Sequence, residues 1–88
     1  MSNYFVYILK CSDNTYYVGI TNNLDGRIDA HNRGKGAKYT RGRVPVELYY
    51  FEECSDRSEA SKREYQLKKL TRLQKESLVY KAKKQETV

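Results

Sequence analysis

Tyr7, Tyr17, Arg27, His31 and Glu64 are the side chains of this chain best equipped for chemistry. Tyr17 stands beside Gly19 in a β-prone run, Arg27 and His31 are four residues apart, and Glu64 interrupts the apolar series Ala60, Leu67, Leu70. A carboxylate can anchor a metal, a guanidinium can clamp an anion, and an imidazole and two phenols can carry or hold protons. Such a set suits hydrolysis of a phosphodiester. Each residue also has a plainer reading. Glu64 can pair with Lys68 one helical turn later, worth only ~0.2–0.5 kcal/mol. His31 can be a hydrogen-bonded histidine near a helix end, Arg27 can be balanced by Asp25 or Asp29, and tyrosines usually pack. A charge that faces a core still demands a partner, so the orientation of these groups matters more than their identity.

The elements that must position them are legible from pattern. Tyr4–Leu9 and Tyr16–Thr21 are β-prone runs separated by the turn-rich Ser12-Asp13-Asn14, which predicts a β-hairpin. A three-residue loop between paired Cys11 and Thr15 puts Val6, Ile8, Val18 and Ile20 on one face. The other face then collects Phe5, Tyr7 and Leu9 with Tyr17, Gly19 and Thr21. Asn22 and Asn23 are good N-caps for a helix over Leu24–Asn32, in which Arg27 and His31 border the inward edge beside Leu24 and Ile28. A helical turn is predicted around Ala37–Thr40 and a third strand over Val46–Glu53. Asp56 with Glu59 caps a helix carrying Ala60, Glu64 and Leu67, and Thr71 with Gln74 restarts the helix after a break.

Eighty-eight residues make one domain, predicted to occupy residues 1–80 with a polar, fraying tail over residues 81–88. The chain has no run of ~20 apolar residues and no secretory pattern in its first residues, which predicts a cytoplasmic protein that does not engage a membrane. Its two cysteines, Cys11 and Cys54, lack the spacing of a zinc site or a disulfide framework and read as reduced thiols. Seventeen Lys and Arg against eleven Asp and Glu leave a net charge of +6. Arg33, Lys35, Lys38, Arg41 and Arg43 are interleaved with glycines and Tyr39, without an acid among them. That composition predicts a polyanionic partner, with these five cations on its phosphates.

Phe5-Val6-Tyr7 followed by Tyr17-Val18-Gly19 resembles the paired signature of the GIY-YIG nuclease superfamily, in particular its small stand-alone bacterial branch of uncharacterised proteins. Supporting pieces are Leu24-x-x-Arg27-x-x-x-His31-Asn32, Gly34–Thr40, Pro45–Leu48, Ser58-Glu59-Ala60 and Arg63–Leu70. The sequence departs from the pattern at Phe5, where glycine is common. The resemblance implies an α+β fold with a three-stranded antiparallel sheet flanked by helices, in the order β-β-α-α-β-α-α. It makes Tyr7 and Tyr17 the signature tyrosines, Arg27 the phosphate-contacting arginine, His31 a proton-transfer or positioning residue, and Glu64 the ligand of a divalent metal, Mg²⁺ or Mn²⁺. The activity implied is DNA endonuclease action, structure-preferring and possible in repair or recombination. RNA as substrate and a binding module that does not cut are the alternatives. Because a free phenol titrates near pH ~10, a tyrosine that deprotonates water at neutral pH needs a cation beside it.

Overall fold

The computed structural model describes residues 3–86, with side chains to residue 81. Its elements are β1 (Tyr4–Lys10), β2 (Tyr16–Thr21), α1 (Leu24–Asn32), α2 (Lys38–Arg41), β3 (Glu47–Cys54), α3 (Arg57–Lys68) and α4 (Arg72–Glu86). The strands form one antiparallel sheet in the order β2-β1-β3, so the first strand is central and the strand carrying Tyr17 is an edge. The fold is the α+β arrangement that the pattern predicts. α4 continues to Glu86, so the backbone stays helical into the stretch read as a fraying tail; residues 87 and 88 lie outside the described residues. Among the described residues, no helix is long and apolar enough to cross a membrane.

The hairpin has the three-residue loop. Cys11 N–H donates to the Thr15 carbonyl at 2.9 Å, Asn14 N–H donates to the Cys11 carbonyl at 3.0 Å, and Asn14 takes φ 66°. A tight turn closed by a left-handed residue is the usual way to build such a loop, and Asn tolerates that conformation better than most side chains. The register pairs Ile8 with Val18 and Val6 with Ile20, which fills one face with aliphatics. Between Ile8 and Leu9 the pairing with β3 shifts by one residue, leaving Tyr49 as the extra residue of a bulge. Strict alternation would send Tyr49 and Tyr50 to opposite faces; the bulge lets both pack on the same core.

That core joins Val6, Ile8, Val18 and Cys54 of the sheet to Ala60 and Leu67 of α3. Asp56 caps α3 by accepting from Glu59 N–H at 2.8 Å, while the Glu59 carboxylate turns back to Ser55. Thr71 and Gln74 cap α4 reciprocally, each backbone N–H bonded to the other's side chain. Glu52 also faces α3, and Arg63 grips both its oxygens at 2.8 and 2.9 Å. Burial alone pushes the Glu52 carboxyl up, but the Arg63 and Tyr50 hydrogen bonds outweigh it and the net shift is downward. The opposite face holds Tyr7, Leu9, Cys11 and Val46, covered by Leu24 and Ile28 of α1.

Gly19 sits opposite Tyr7 across β1 and β2. A methyl group on it would stand 2.6 Å from the Tyr7 hydroxyl oxygen and 3.0 Å from Tyr17 Cε2. Two rigid rings, one of them 1% exposed, leave that methyl group nowhere to go. Gly19→Ala should therefore destabilise the fold by about 1–3 kcal/mol through overpacking, read as a lower urea midpoint with an unchanged slope.

Candidate active site

His31 is fully buried, near the C-terminal end of α1, although histidine is more often at least partly exposed. Its Nε2 lies 3.0 Å from the Tyr7 hydroxyl and its Nδ1 lies 2.7 Å from Thr40 Oγ1. The local sequence explains the enclosure. α1 starts at Asn23, whose side chain accepts from Gly26 N–H at 3.1 Å. It ends with Gly34 at φ 76°, and the paired bonds Gly34 N–H to His31 carbonyl and Lys35 N–H to Ala30 carbonyl reverse the chain. The reversed chain then lays Gly36 across the imidazole, so closely that a methyl group there would stand 2.2 Å from Nδ1. Asn32 fastens this corner to the sheet, donating to the Val46 carbonyl at 3.0 Å and accepting from Val46 N–H at 2.6 Å.

Two protonation patterns satisfy this chain of bonds with a neutral ring. In one, Tyr7 donates to Nε2, Nδ1–H donates to Thr40, and Thr40 donates to the Ala37 carbonyl, 2.9 Å away. In the other, Thr40 and Ala37 N–H donate to Nδ1, and Nε2–H donates to the Tyr7 oxygen. Desolvation, then the Arg27 charge, pulls the His31 pKa below its usual value, so the ring is neutral at pH 7. Burial raises the Tyr7 phenol, against a lowering by Arg27, and keeps it protonated.

Tyr17 is half-buried; its ring centre lies 6.4 Å from that of Tyr7 and 5.2 Å from that of His31. The Tyr7 phenol also feels the opposed charges of Arg27 and Glu64. Arg27 is not neutralised by its helix neighbours: Asp29 is taken by Arg33 at 2.6 Å, and Arg27 lines a groove with Tyr4, Ile20 and Arg57. Glu64, its side chain 23% exposed, pairs with Lys68 at 3.2 Å, and Lys68 lines a second groove together with Tyr17. Tyr7, Tyr17 and His31, from β1, β2 and α1, thus lie against one another, and the charges of Arg27 on α1 and Glu64 on α3 reach the Tyr7 phenol. Phe5 shares the Tyr7 face of β1 but leans toward β3, where its ring meets Phe51 edge-on at 6.0 Å.

The basic segment divides in two. Arg33 is tied to Asp29; Arg43 is tied to Asp13 at 2.9 Å, to the Tyr39 carbonyl at 2.7 Å and to the Tyr39 ring face at 4.1 Å. These two hold the loop together, which charge spacing could not reveal because Asp13 is thirty positions away. Lys35, Lys38 and Arg41 are exposed and make no ion pair among the described residues. Thr40, Gly36 and Asn32 were not singled out by sequence reasoning as site supports. A histidine followed within ten residues by a glycine-rich turn and a threonine is too common to signal enclosure.

No group of three or more His, Cys, Asp and Glu among the described residues could form a protein-only metal cage. A lone, partly exposed carboxylate fits a hydrated Mg²⁺, which keeps most of its waters and commonly takes one or two carboxylates. The His31 environment also makes stability depend on pH. Its folded pKa is below the unfolded value of ~6.5, so the unfolded chain binds the proton more readily and stability falls as pH drops from about 6.5 through the folded value. Urea unfolding between pH 7 and 5 should show that loss, and His31→Gln should flatten it; an equal slope in both proteins would assign the loss to other groups.

Known proteins are similar to this chain in sequence and fold. The model of the GIY-YIG catalytic domain matches residues 3–77. UPF0213 protein CPE1444 of Clostridium perfringens is 61% identical over 75 residues, covering 85% of this chain and 81% of that protein. UPF0213 protein YazA of Bacillus subtilis is 53% identical over 75 residues, covering 85% of this chain and 76% of YazA. Among solved structures, the solution NMR structure of EF2693 from E. faecalis is 41% identical with a TM-score of 0.62, covering 92% of this chain and 86% of that one. That of UPF0213 protein BH0048 from Bacillus halodurans is 47% identical with a TM-score of 0.57, covering 89% and 83%. With the match spanning most of the chain, the chain belongs to the GIY-YIG catalytic-domain family.

Proposed function

We propose that the protein is a divalent-metal-dependent endonuclease that hydrolyses phosphodiester bonds in DNA. What supports the reading is the Tyr17 ring on the edge strand beside the buried Tyr7–His31 pair, with the charges of Arg27 and Glu64 acting on the Tyr7 phenol. Arg27 is the clamp for the phosphate: a permanent cation with no acid bonded to it among the described residues can meet a non-bridging oxygen with two parallel donors. Tyr17 presents the phenol that reaches the attacking water and takes up or relays its proton, helped by the Lys68 ammonium in the same groove. Tyr7 stays protonated and holds its neighbours through a fixed hydroxyl. His31, sealed from substrate, acts as a positioning residue by fixing that hydroxyl. Glu64 would hold Mg²⁺ or Mn²⁺, which when bound supplies positive charge at the reacting phosphate.

Lys68 stands against the Glu64 carboxylate as a tethered counter-charge. An isolated exposed pair of this kind contributes little stability, so it yields readily to a divalent ion. A role in repair or recombination and a preference for branched or flapped DNA belong to the same proposal. So does a cytoplasmic setting.

Glu64→Ala tests the catalytic assignment. Cleavage of a panel of flaps, forks, junctions, single strands and RNA in Mg²⁺ should fall by about 10³-fold or more, as when a principal charge stabiliser of a transition state is removed. Binding should persist or tighten, because a negative charge leaves an anion site. Tyr17→Phe should slow cleavage with little change in affinity. Equal cutting by Glu64→Ala would remove Glu64 from the catalytic assignment, and no cutting of any substrate by the wild type would favour a module of this family that binds without hydrolysis. Affinity in either case should fall by about 10³-fold or more between 50 and 200 mM salt if six or more cations meet phosphates; a flat salt response would remove nucleic acid as the partner.

A further inference from the structure

On the α3 and α4 side of β2, an open groove of about 270 Å³ is lined by Tyr16, Tyr17, Val18, Tyr39, Lys68 and Lys75. We infer that this groove seats one nucleotide flanking the scissile phosphate, with its base against the tyrosine wall and its phosphate toward Lys68 and Lys75. The inference rests on the phosphodiester reading above and deepens it, by naming what the substrate places beside the reacting bond.

The wall is built before any ligand arrives. Tyr16 is stacked on Tyr49 at 4.9 Å, its hydroxyl donates to Glu76 at 2.8 Å, and the Arg72 guanidinium lies 4.7 Å from its ring centre. Tyr39 runs nearly parallel to Tyr17, 27° apart at 6.0 Å, and Arg43 pins its ring and its carbonyl. Rings fixed in this way lose little further freedom when a base settles beside them. Every base has a π face, so such a wall accepts any sequence. The space is just below the ~300–1,000 Å³ of small-molecule sites and suits one base, not a stacked run.

The charge in the groove is as telling as its shape. Lys75 is half-buried, yet its ammonium makes no ion pair or side-chain hydrogen bond among the described residues. The nearby acids are engaged elsewhere: Glu76 with Tyr16 and Arg72, Glu64 with Lys68. Burial lowers the Lys75 pKa, a cost that an arriving phosphate reverses. A half-buried cation without a counter-ion, next to fixed aromatic faces and to Tyr17, is matched by the phosphate and base of a single nucleotide.

The test is an NMR titration of ¹⁵N-labelled protein with deoxyadenosine 5′-monophosphate, deoxyribose 5-phosphate and inorganic phosphate in parallel. The mononucleotide should shift the amides of Tyr16–Val18, Tyr39 and Lys75, and should bind about tenfold more tightly than either base-free anion. Tyr39→Ala and Lys75→Ala should each weaken it about tenfold, while Tyr39→Phe and Lys75→Arg, which keep the ring and the charge, should retain it. Shifts confined to Lys35–Arg41, equal binding of phosphate alone, or an unaltered Lys75→Ala would overturn the inference. Spectral dispersion of each variant reports whether it is folded. Because the readout needs no cutting, the two readings fail separately. Nucleotide in the groove without Glu64-dependent cleavage would remove the nuclease assignment only, and cleavage without groove binding would remove this inference only.

Discussion

The hydrogen bond between the Tyr7 hydroxyl and His31 Nε2 is the contact on which the site depends. It joins the central strand to α1 inside a region that excludes water, where a polar group left without a partner costs ~1–3 kcal/mol. Each partner therefore obliges the other, and the obligation spreads. Thr40 must serve Nδ1, Gly36 must lack a side chain, and Gly19 must leave room for the phenol ring. The glycines and the threonine of the loop are thus part of the same requirement as the two residues that meet. What the arrangement yields is a rigid floor, against which the Tyr17 ring rests.

Charge is distributed with a similar economy. The cations of the 31–43 segment look alike in sequence, but Arg43 closes the loop onto the hairpin turn and Arg33 braces α1, leaving Lys35, Lys38 and Arg41 facing solvent. Around β2 the arginines and lysines are placed in pairs: Arg27 and Arg57 in one groove, Lys68 and Lys75 in the other. A polyanion crossing the edge strand would meet cations on either side of Gly19. The distant field of the +6 chain would draw such a partner in, whereas the near cations would set its alignment.

Much of this was legible from residue pattern because local rules and global packing agree. Alternation fixed the hairpin faces, Asn23, Asp56 and Thr71 fixed helix starts, and the inward placement of His31 followed from its spacing to Leu24 and Ile28. What stayed hidden needed contacts between distant positions. The bulge at Tyr49 is a mismatch between two strands and leaves no mark in either one. The Asp13–Arg43 and Glu52–Arg63 pairs look like ordinary surface charges until the chain closes. Leu73, which a helical stripe would bury, is 77% exposed because α4 is held by Arg72 and Glu76 at the hairpin turn and turns that residue outward.

That grip by α4 has a consequence for the order in which the molecule comes into being. The strand bearing Tyr17 is an edge, and its first residue is held by Arg72 and Glu76, while Glu64 comes from the helix before them. A ribosome delivers the tyrosines, Arg27 and His31 long before any of these. A nascent chain can thus form its hairpin early but cannot pack α3 and α4 onto it until nearly all of the family-matched segment has emerged. Because the stabilising contacts span some sixty positions, closure is all-or-none and comparatively slow for so short a chain. If the site hydrolyses phosphodiesters as proposed, this order withholds Glu64 from the tyrosines until late in synthesis.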